Sequence, residues 1–188
     1  MSGRDWLAAQ RTEIAAERIL DAAGELFAGQ PAATVGMHEI ASAAGCSRAT
    51  LYRYFENREA LHTAYVHRET HRIYRELTDE LASITDPEQR LVQGMLGCLR
   101  MVRENPALAS WFTASERPLG GEMAEQSPLI AAVTETFVGS LGDDDRVEAR
   151  ARWMVRILTS LLLFPGRDDT DEAEMLSEFV VPRVIAPG

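Results

Sequence analysis

Arg48, Ala49, Tyr52 and Arg53 lie close together in the stretch Gly36–Phe55, GMHEIASAAGCSRATLYRYF. On a helix these positions fall on one side, because residues three or four apart stand one above the other. Arginine can donate two hydrogen bonds to the edge of a guanine, and a small residue lets the helix backbone come close to the base pairs. Such a face suits the major groove of DNA. Leu51 and Phe55, four residues apart, point the other way, toward a core.

That helix needs a partner to hold it. Just upstream, Met37, Ile40, Ala41 and Ala44 recur at i, i+3, i+4 and i+7, which puts an apolar stripe on a first short helix. Gly36 takes its cap position. Gly45 breaks the stripe and tolerates the positive φ of a sharp turn. Ser47 can then cap the second helix by accepting a backbone N–H. The spacing predicts two short helices joined by a tight turn over residues 36–55.

The 188-residue chain has a net charge of −10, which taken alone argues against a nucleic-acid partner. Charge has to be read locally. Between Ala44 and Arg58 stand Arg48, Arg53 and Arg58 against the single acid Glu56. The chain contains no lysine, and its excess acid lies further on, as in Asp143–Asp145 and from Gly166 to Glu174. A small basic head on an acidic body can bind DNA, with weak long-range steering. No apolar run reaches the ~18–20 residues of a membrane span, and no basic region followed by an apolar core marks a signal peptide. Cys46 and Cys98 form neither a disulfide framework nor a CxxC site, so a cytoplasmic location is expected.

In chain order, residues 1–10 read as a short frayed arm and Arg11–Phe27 as an amphipathic helix, stopped by Gly29-Gln30-Pro31. After the helix-turn-helix, Asn57 caps a long helix to about Ser83, with Leu61, Tyr65, Ile73, Leu77 and Leu81 along one face. Asp86-Pro87, Asn105-Pro106 and Ser127-Pro128 each pair a cap with a proline at the first helical position. They predict helices at 87–104, 106–114 and 128–141. Ser115–Gln126, with Pro118 and Gly120-Gly121, reads as an irregular loop. Arg146–Phe164 is a helix whose apolar second half should be buried, and Thr170 caps a last helix that Pro182 kinks or ends. No strand pattern is visible. The expectation is an all-α chain of about nine helices.

The run from Ala22-Ala23 and Leu26-Phe27 through Ile40-Ala41, Ala44-Gly45, Ser47, Thr50-Leu51-Tyr52 and Tyr54-Phe55 to Arg58-Glu59 and Leu61 resembles the N-terminal domain of the TetR family of bacterial transcription regulators. The resemblance covers residues 11–62. It implies a DNA-binding domain over 1–56 and a C-terminal helical effector-binding and dimerisation domain over 57–188. It also implies a homodimer that sets its third helices in successive major grooves of double-stranded operator DNA. Carried over, Ser47, Arg48, Ala49, Thr50, Tyr52 and Arg53 face DNA, Tyr52 and Tyr54 touch backbone or thymine methyls, and Arg58 holds a phosphate. Where the family has Ser or Thr near the start of the second helix, this chain has Val35-Gly36. Either that phosphate contact is lost at Gly36 or Thr34 takes it over. Cys46 stands where the family has valine.

The implied function is that of a DNA-binding transcription regulator, a repressor released by a small, largely apolar or aromatic effector. Met101, Trp111, Phe112, Phe137, Trp153 and Met154 are candidates to line its cavity. Dimerisation is expected through helices near 146–164 and 171–184. The alternative is a DNA-bound regulator whose C-terminal domain binds a protein and no small molecule. His67 and His71 have a ligand spacing but no third ligand, and Arg68 follows His67 where a metalloprotease has Glu, so no metal is expected. No catalytic constellation, cofactor motif or membrane partner is visible.

Overall fold

A computed structural model describes residues 3–113, 119–142 and 145–185, with side chains from residue 12 onward. Helix α1 spans Gly3–Gly29, α2 Met37–Ala43, α3 Arg48–Tyr54 and α4 Arg58–Glu80. The remainder is α5 (Pro87–Glu104), α6 (Pro106–Ala109), α7 (Leu119–Gln126), α8 (Pro128–Gly139), α9 (Val147–Leu163), α10 (Asp169–Met175), a π turn (Leu176–Val180) and α11 (Val181–Val184). Among the described residues the fold is all-α.

The sequence signals for helix starts translate directly into hydrogen bonds. Asn57 Oδ1 accepts from Ala60 N at 2.7 Å, Asp86 Oδ1 from Gln89 N at 2.7 Å, and Ser127 Oγ from Ile130 N at 3.3 Å. Asn105 Oδ1 accepts from Ala107 N at 3.0 Å. Each satisfies an amide that a helix N-terminus leaves over.

Several expectations are corrected. The arm is helical from Gly3, since nothing between Asp5 and Ala23 breaks a helix. The stretch read as a loop contains α7. Its Gly120 is required by packing: a Cβ there would stand 2.6 Å from the Phe112 ring. A glycine that admits an aromatic ring carries the same sequence signature as one that makes a turn. Residues 114–118 of that stretch, and Asp143 and Asp144 of the acidic turn, lie outside the described residues. The helix predicted at 106–114 is a single turn, α6, followed by turns through Trp111 and Phe112. The last helix is capped by Asp168, whose Oδ1 accepts from Asp171 N at 2.9 Å, so Thr170 is displaced from that role. Pro182 does not end the chain's last helical run. The helix widens into the π turn just before it, which accommodates a ring that cannot donate an N–H and would crowd the preceding turn.

Two cores hold these elements. The first joins Ile19, Phe27, Ile40, Leu51 and Phe55 of the head to Leu61 and Tyr65 of α4 and to Val102, Leu108 and Trp111 beyond it. The second packs Leu91 and Met95 of α5 against Val138, Met154, Leu176 and Val180. Helix α5 therefore serves both. The apolar second half of α9 is not buried as expected: Ile157, Leu158, Leu161 and Leu162 are half-buried, and Phe164, just after it, is 76% exposed.

A buried ion pair fixes α10 to α5 and α9. Arg103 Nη1 and Nη2 donate to the two carboxylate oxygens of Glu172 at 2.8 and 2.7 Å, Nη2 also donates to Leu161 O at 3.0 Å, and Gly166 N donates to Glu172 Oε1 at 2.9 Å. Glu172 is 2% exposed. The hydrogen bonds from Arg103 hold its carboxyl below the usual range against the opposing effect of burial. A carboxyl with a depressed folded pKa contributes stability above its unfolded value, about 4.3, and loses it as pH falls through the folded one. Arg103→Met should cost about 3 kcal/mol of unfolding free energy at neutral pH, because it strands a buried carboxylate. It should also flatten the loss of stability below about pH 4; urea melts at several pH values would show both.

Candidate functional site

The helix-turn-helix is set by three local devices. Gly36 caps α2, and its N–H is taken by Glu39 Oε2 at 2.8 Å. Gly45 has φ +66°, the left-handed conformation that closes a helix, and Cys46 N donates back to Ala41 O at 2.9 Å. Ser47 Oγ then accepts from Thr50 N at 3.0 Å and lies 2.9 Å from Thr50 Oγ1. With Leu51 and Phe55 buried, the orientation of α3 is determined. Arg48, Ala49, Tyr52 and Arg53 face outward, while Thr50 and Tyr54 are half-buried.

The two arginines lie against aromatic rings. The Arg48 guanidinium is 6.0 Å from the Tyr52 ring centroid, and that of Arg53 is 5.2 Å from the Tyr54 ring. These contacts limit side-chain freedom, and Arg53 Nη2 also donates a long hydrogen bond to the Tyr54 hydroxyl at 3.5 Å. Other candidates are more committed. Arg58 Nη1 donates to Ala33 O at 3.1 Å, tying α4 to the connector before α2. Thr34 Oγ1 donates to Pro31 O at 2.7 Å. Gly36 has no side chain and a spent N–H, so it has nothing left to give an anion. The structure thus brings Arg48, Ala49, Tyr52 and Arg53 together on one outer face, and sets Thr34 and Arg58 in the adjoining connector and helix start.

Between α4, α5, α7, α8 and α9 lies a cavity of about 280 Å³. Of the six candidates, Trp111, Phe112, Phe137 and Met154 line it. Met101 and Trp153 do not: Met154, Val155, Leu158 and Thr159 form the lining stripe of α9, and Trp153 is rotated off it into the second core. Met95, Cys98 and Val102 form the stripe of α5, and Met101 is buried to one side of it. Sequence reasoning missed most of the α4 wall. Ile73 and Leu77 appeared as core positions, but they are half-buried because the space in front of them is open. Glu69 and Arg90, also in the lining, give no apolar signal at all.

One wall of the cavity is also the floor of the head. The Trp111 ring lies edge-on to Phe27 at 5.4 Å and to His62 at 4.9 Å, and stacks at 6.1 Å on Tyr65. Phe27 belongs to α1, and His62 and Tyr65 to the first turns of α4. Outside this cluster, Arg68 of α4 reaches α1, with Nη1 donating to Asp21 Oδ1 at 2.8 Å and Glu17 Oε2 at 3.1 Å. Among the described residues no group of three or more His, Cys, Asp or Glu side chains could hold a metal ion, and no helix is long and apolar enough to cross a membrane. The two cysteines are unpaired, and burial pushes the Cys98 thiol up to about 11.

Comparison with known proteins follows the same division of the chain. The family described as bacterial regulatory proteins, tetR family, matches residues 19–65. An uncharacterized HTH-type transcriptional regulator of Mycobacterium tuberculosis, Rv1255c, is 61% identical over 186 residues, covering 98% of this chain and 92% of that protein. The structure resembles the TetR family repressor AlkX from Dietzia sp., implicated in biodegradation of n-alkanes, with a TM-score of 0.65, 26% identity and coverage of 89% of this chain and 96% of that one. It also resembles Thermus thermophilus FadR in complex with lauroyl-CoA, with a TM-score of 0.63, 22% identity and coverage of 92% and 96%. That last likeness concerns the fold.

His62 makes the junction sensitive to acid. Burial, and then the charge of Arg58, lower its pKa from 6.5 to about 4. The neutral ring is the one that fits, so its contribution is complete above about pH 6.5 and is lost as pH falls from there toward about 4. His62→Phe keeps an aromatic ring against Phe27 and Trp111 and removes the titration. Its unfolding free energy should be flatter than the wild type's across that window, by up to about 1.4 kcal/mol per pH unit, as read from denaturant midpoints.

Proposed function

This chain belongs to the TetR family of bacterial transcription regulators and carries that family's DNA-binding helix-turn-helix, and on that premise we propose that it is a dimeric repressor released from its operator by a small, largely apolar effector. The observation that carries the reading is the position of Trp111, which lines the cavity and packs on the head core at once. A ligand pressing on Trp111 acts on α1 through Phe27 and on the start of α4 through His62 and Tyr65. The recognition helices of a dimer must stand ~34–36 Å apart to enter successive major grooves. An effector that prefers a state with α4 tilted would shift the population away from that spacing.

Support for the dimer comes from surface left uncovered. Phe179 is 62% and Phe164 76% exposed, and the leucines of α9 are half-buried. Large apolar side chains left this exposed mark an interaction site where they join into one patch. A second copy meeting α9 and the α10–α11 run would cover it as a four-helix bundle. The open cavity favours a small molecule over the alternative of a protein partner alone. The acyl-CoA ligand of the Thermus protein belongs to that protein; the apolar lining is what supports such chemistry here.

In a gel-shift assay the protein should bind DNA upstream of its own gene with sequence preference. Arg48→Ala/Arg53→Ala should abolish that preference, each arginine contributing about 1–3 kcal/mol where it pairs with a guanine. Unchanged specific binding by the double variant would remove α3 as the reading element. Phe179→Glu should sediment as a monomer and lose specific binding; a stable dimer in that variant would place the interface elsewhere.

A further inference from the structure

Arg90 lies in the first turns of α5, beneath the end of α4. Its Nη1 donates to Leu81 O at 2.7 Å and Ile84 O at 3.2 Å, carbonyls of the turn that follows α4. That half of the guanidinium is structural. The other half is not accounted for: Nε is buried without a hydrogen-bond partner, and among the described residues no carboxylate lies within ion-pair distance of Arg90. The same side chain lines the cavity. Among the described residues the one other charged wall residue, Glu69, is already neutralised, with Oε1 accepting from Arg68 Nε at 3.3 Å and Oε2 from Arg72 Nε at 2.9 Å. Arg90 is therefore the uncompensated charge of an otherwise apolar space. A buried cation is costly unless an anion or several acceptors meet it.

The surroundings of Arg90 differ from the opposite end. Leu81 and Phe137 both close on Gly94, one turn along α5, where a Cβ would stand 2.6 Å from the Phe137 ring. Thr78, Thr136 and Ser140 bring hydroxyl oxygens into this part of the lining. The end nearest the head is walled by Val66, Leu108, Leu162 and Trp111, whose Nε1 is buried without a partner, and carries no free charge among the described residues because Glu69 is paired. Between the two, the lining positions of α4 run from Val66 to Leu81, about 22 Å of helix. A volume of about 280 Å³ spread over that length is slender.

We propose that the cavity takes a long-chain carboxylate, its unbranched apolar chain lying along α4 toward Trp111 and its carboxylate received by the Nε side of Arg90. The Nε–H and the adjacent Nη2 of arginine form the fork that accepts both oxygens of a carboxylate. An ester or thioester of the same chain offers no negative charge to that fork. The inference rests on the reading of the cavity as an effector site and adds the identity of the head group.

Binding to the full-length protein can be followed by tryptophan fluorescence or calorimetry, without DNA, using dodecanoate and methyl dodecanoate. Dodecanoate should bind the wild type about tenfold or more tightly than the ester. In Arg90→Gln the two affinities should converge to within about threefold, with that of the ester little changed, which also reports that the variant's cavity is intact. Equal affinities in the wild type, a comparison needing no variant, would overturn the proposal while leaving an apolar effector site in place. So would an acid preference that persists in Arg90→Gln. Binding of neither compound would overturn the proposal and the effector reading together.

Discussion

The fit of Trp111 against Phe27, His62 and Tyr65 is the contact on which the rest of the molecule depends. A three-helix head of this size buries too little surface to be stable alone. Here it borrows the missing surface from α4, from the end of α5 and from the turn after α6. Because that borrowed surface includes Trp111, the head cannot be indifferent to what happens in the cavity behind it. The head's stability and the cavity's wall draw on the same side chain, and close packing turns a small shift on one side into strain on the other.

Helix α5 is the second organising element. It contributes to both cores, walls the cavity, and uses two arginines near its ends in contrasting ways. Arg103 meets Glu172 in a bidentate pair through its two Nη atoms, with its Nε buried and unpaired. Arg90 spends one nitrogen on the end of α4 and leaves another buried and unpaired. A guanidinium that meets a carboxylate locks the helix run from Asp169 in place. An unsatisfied guanidinium facing an open space is a place for something to bind.

The surface proposed to face DNA has little charge to work with. The chain has 19 Lys+Arg against 29 Asp+Glu and no lysine, so general attraction to phosphate is weak and recognition leans on geometry and on a few side chains. Arg48 and Arg53 lie against Tyr52 and Tyr54, which lowers the entropy lost when they engage a base. Arg58 is partly absorbed in bonding Ala33 O. In this fold it secures the angle between α4 and the helix-turn-helix as well as presenting charge.

Much of this was legible in the sequence because it is local. Caps such as Ser47, Asn57 and Asp86, the positive-φ Gly45 and the inward pair Leu51 and Phe55 act on residues within one or two turns, so spacing alone reveals them. The outward set of Arg48, Ala49, Tyr52 and Arg53 follows from the same periodicity. What escaped was decided by partners distant in the chain. Gly120 looked like a loop residue until Phe112 was seen against it. The apolar half of α9 looked like core, yet a single chain leaves it half-covered. Ile73 and Leu77 looked like packed positions and instead face open space, since periodicity reports which side of a helix is apolar and not whether anything fills the room beyond it. His62, Glu69 and Arg90 gave no signal, because a polar residue is placed inside only by the particular neighbours that tertiary structure supplies. Spacing along the chain specifies most of the helices, most of their caps and the outward set on α3, because each acts within a turn or two; packing between distant segments opens the cavity, leaves Arg90 in its wall without a carboxylate, and joins Trp111 to the head.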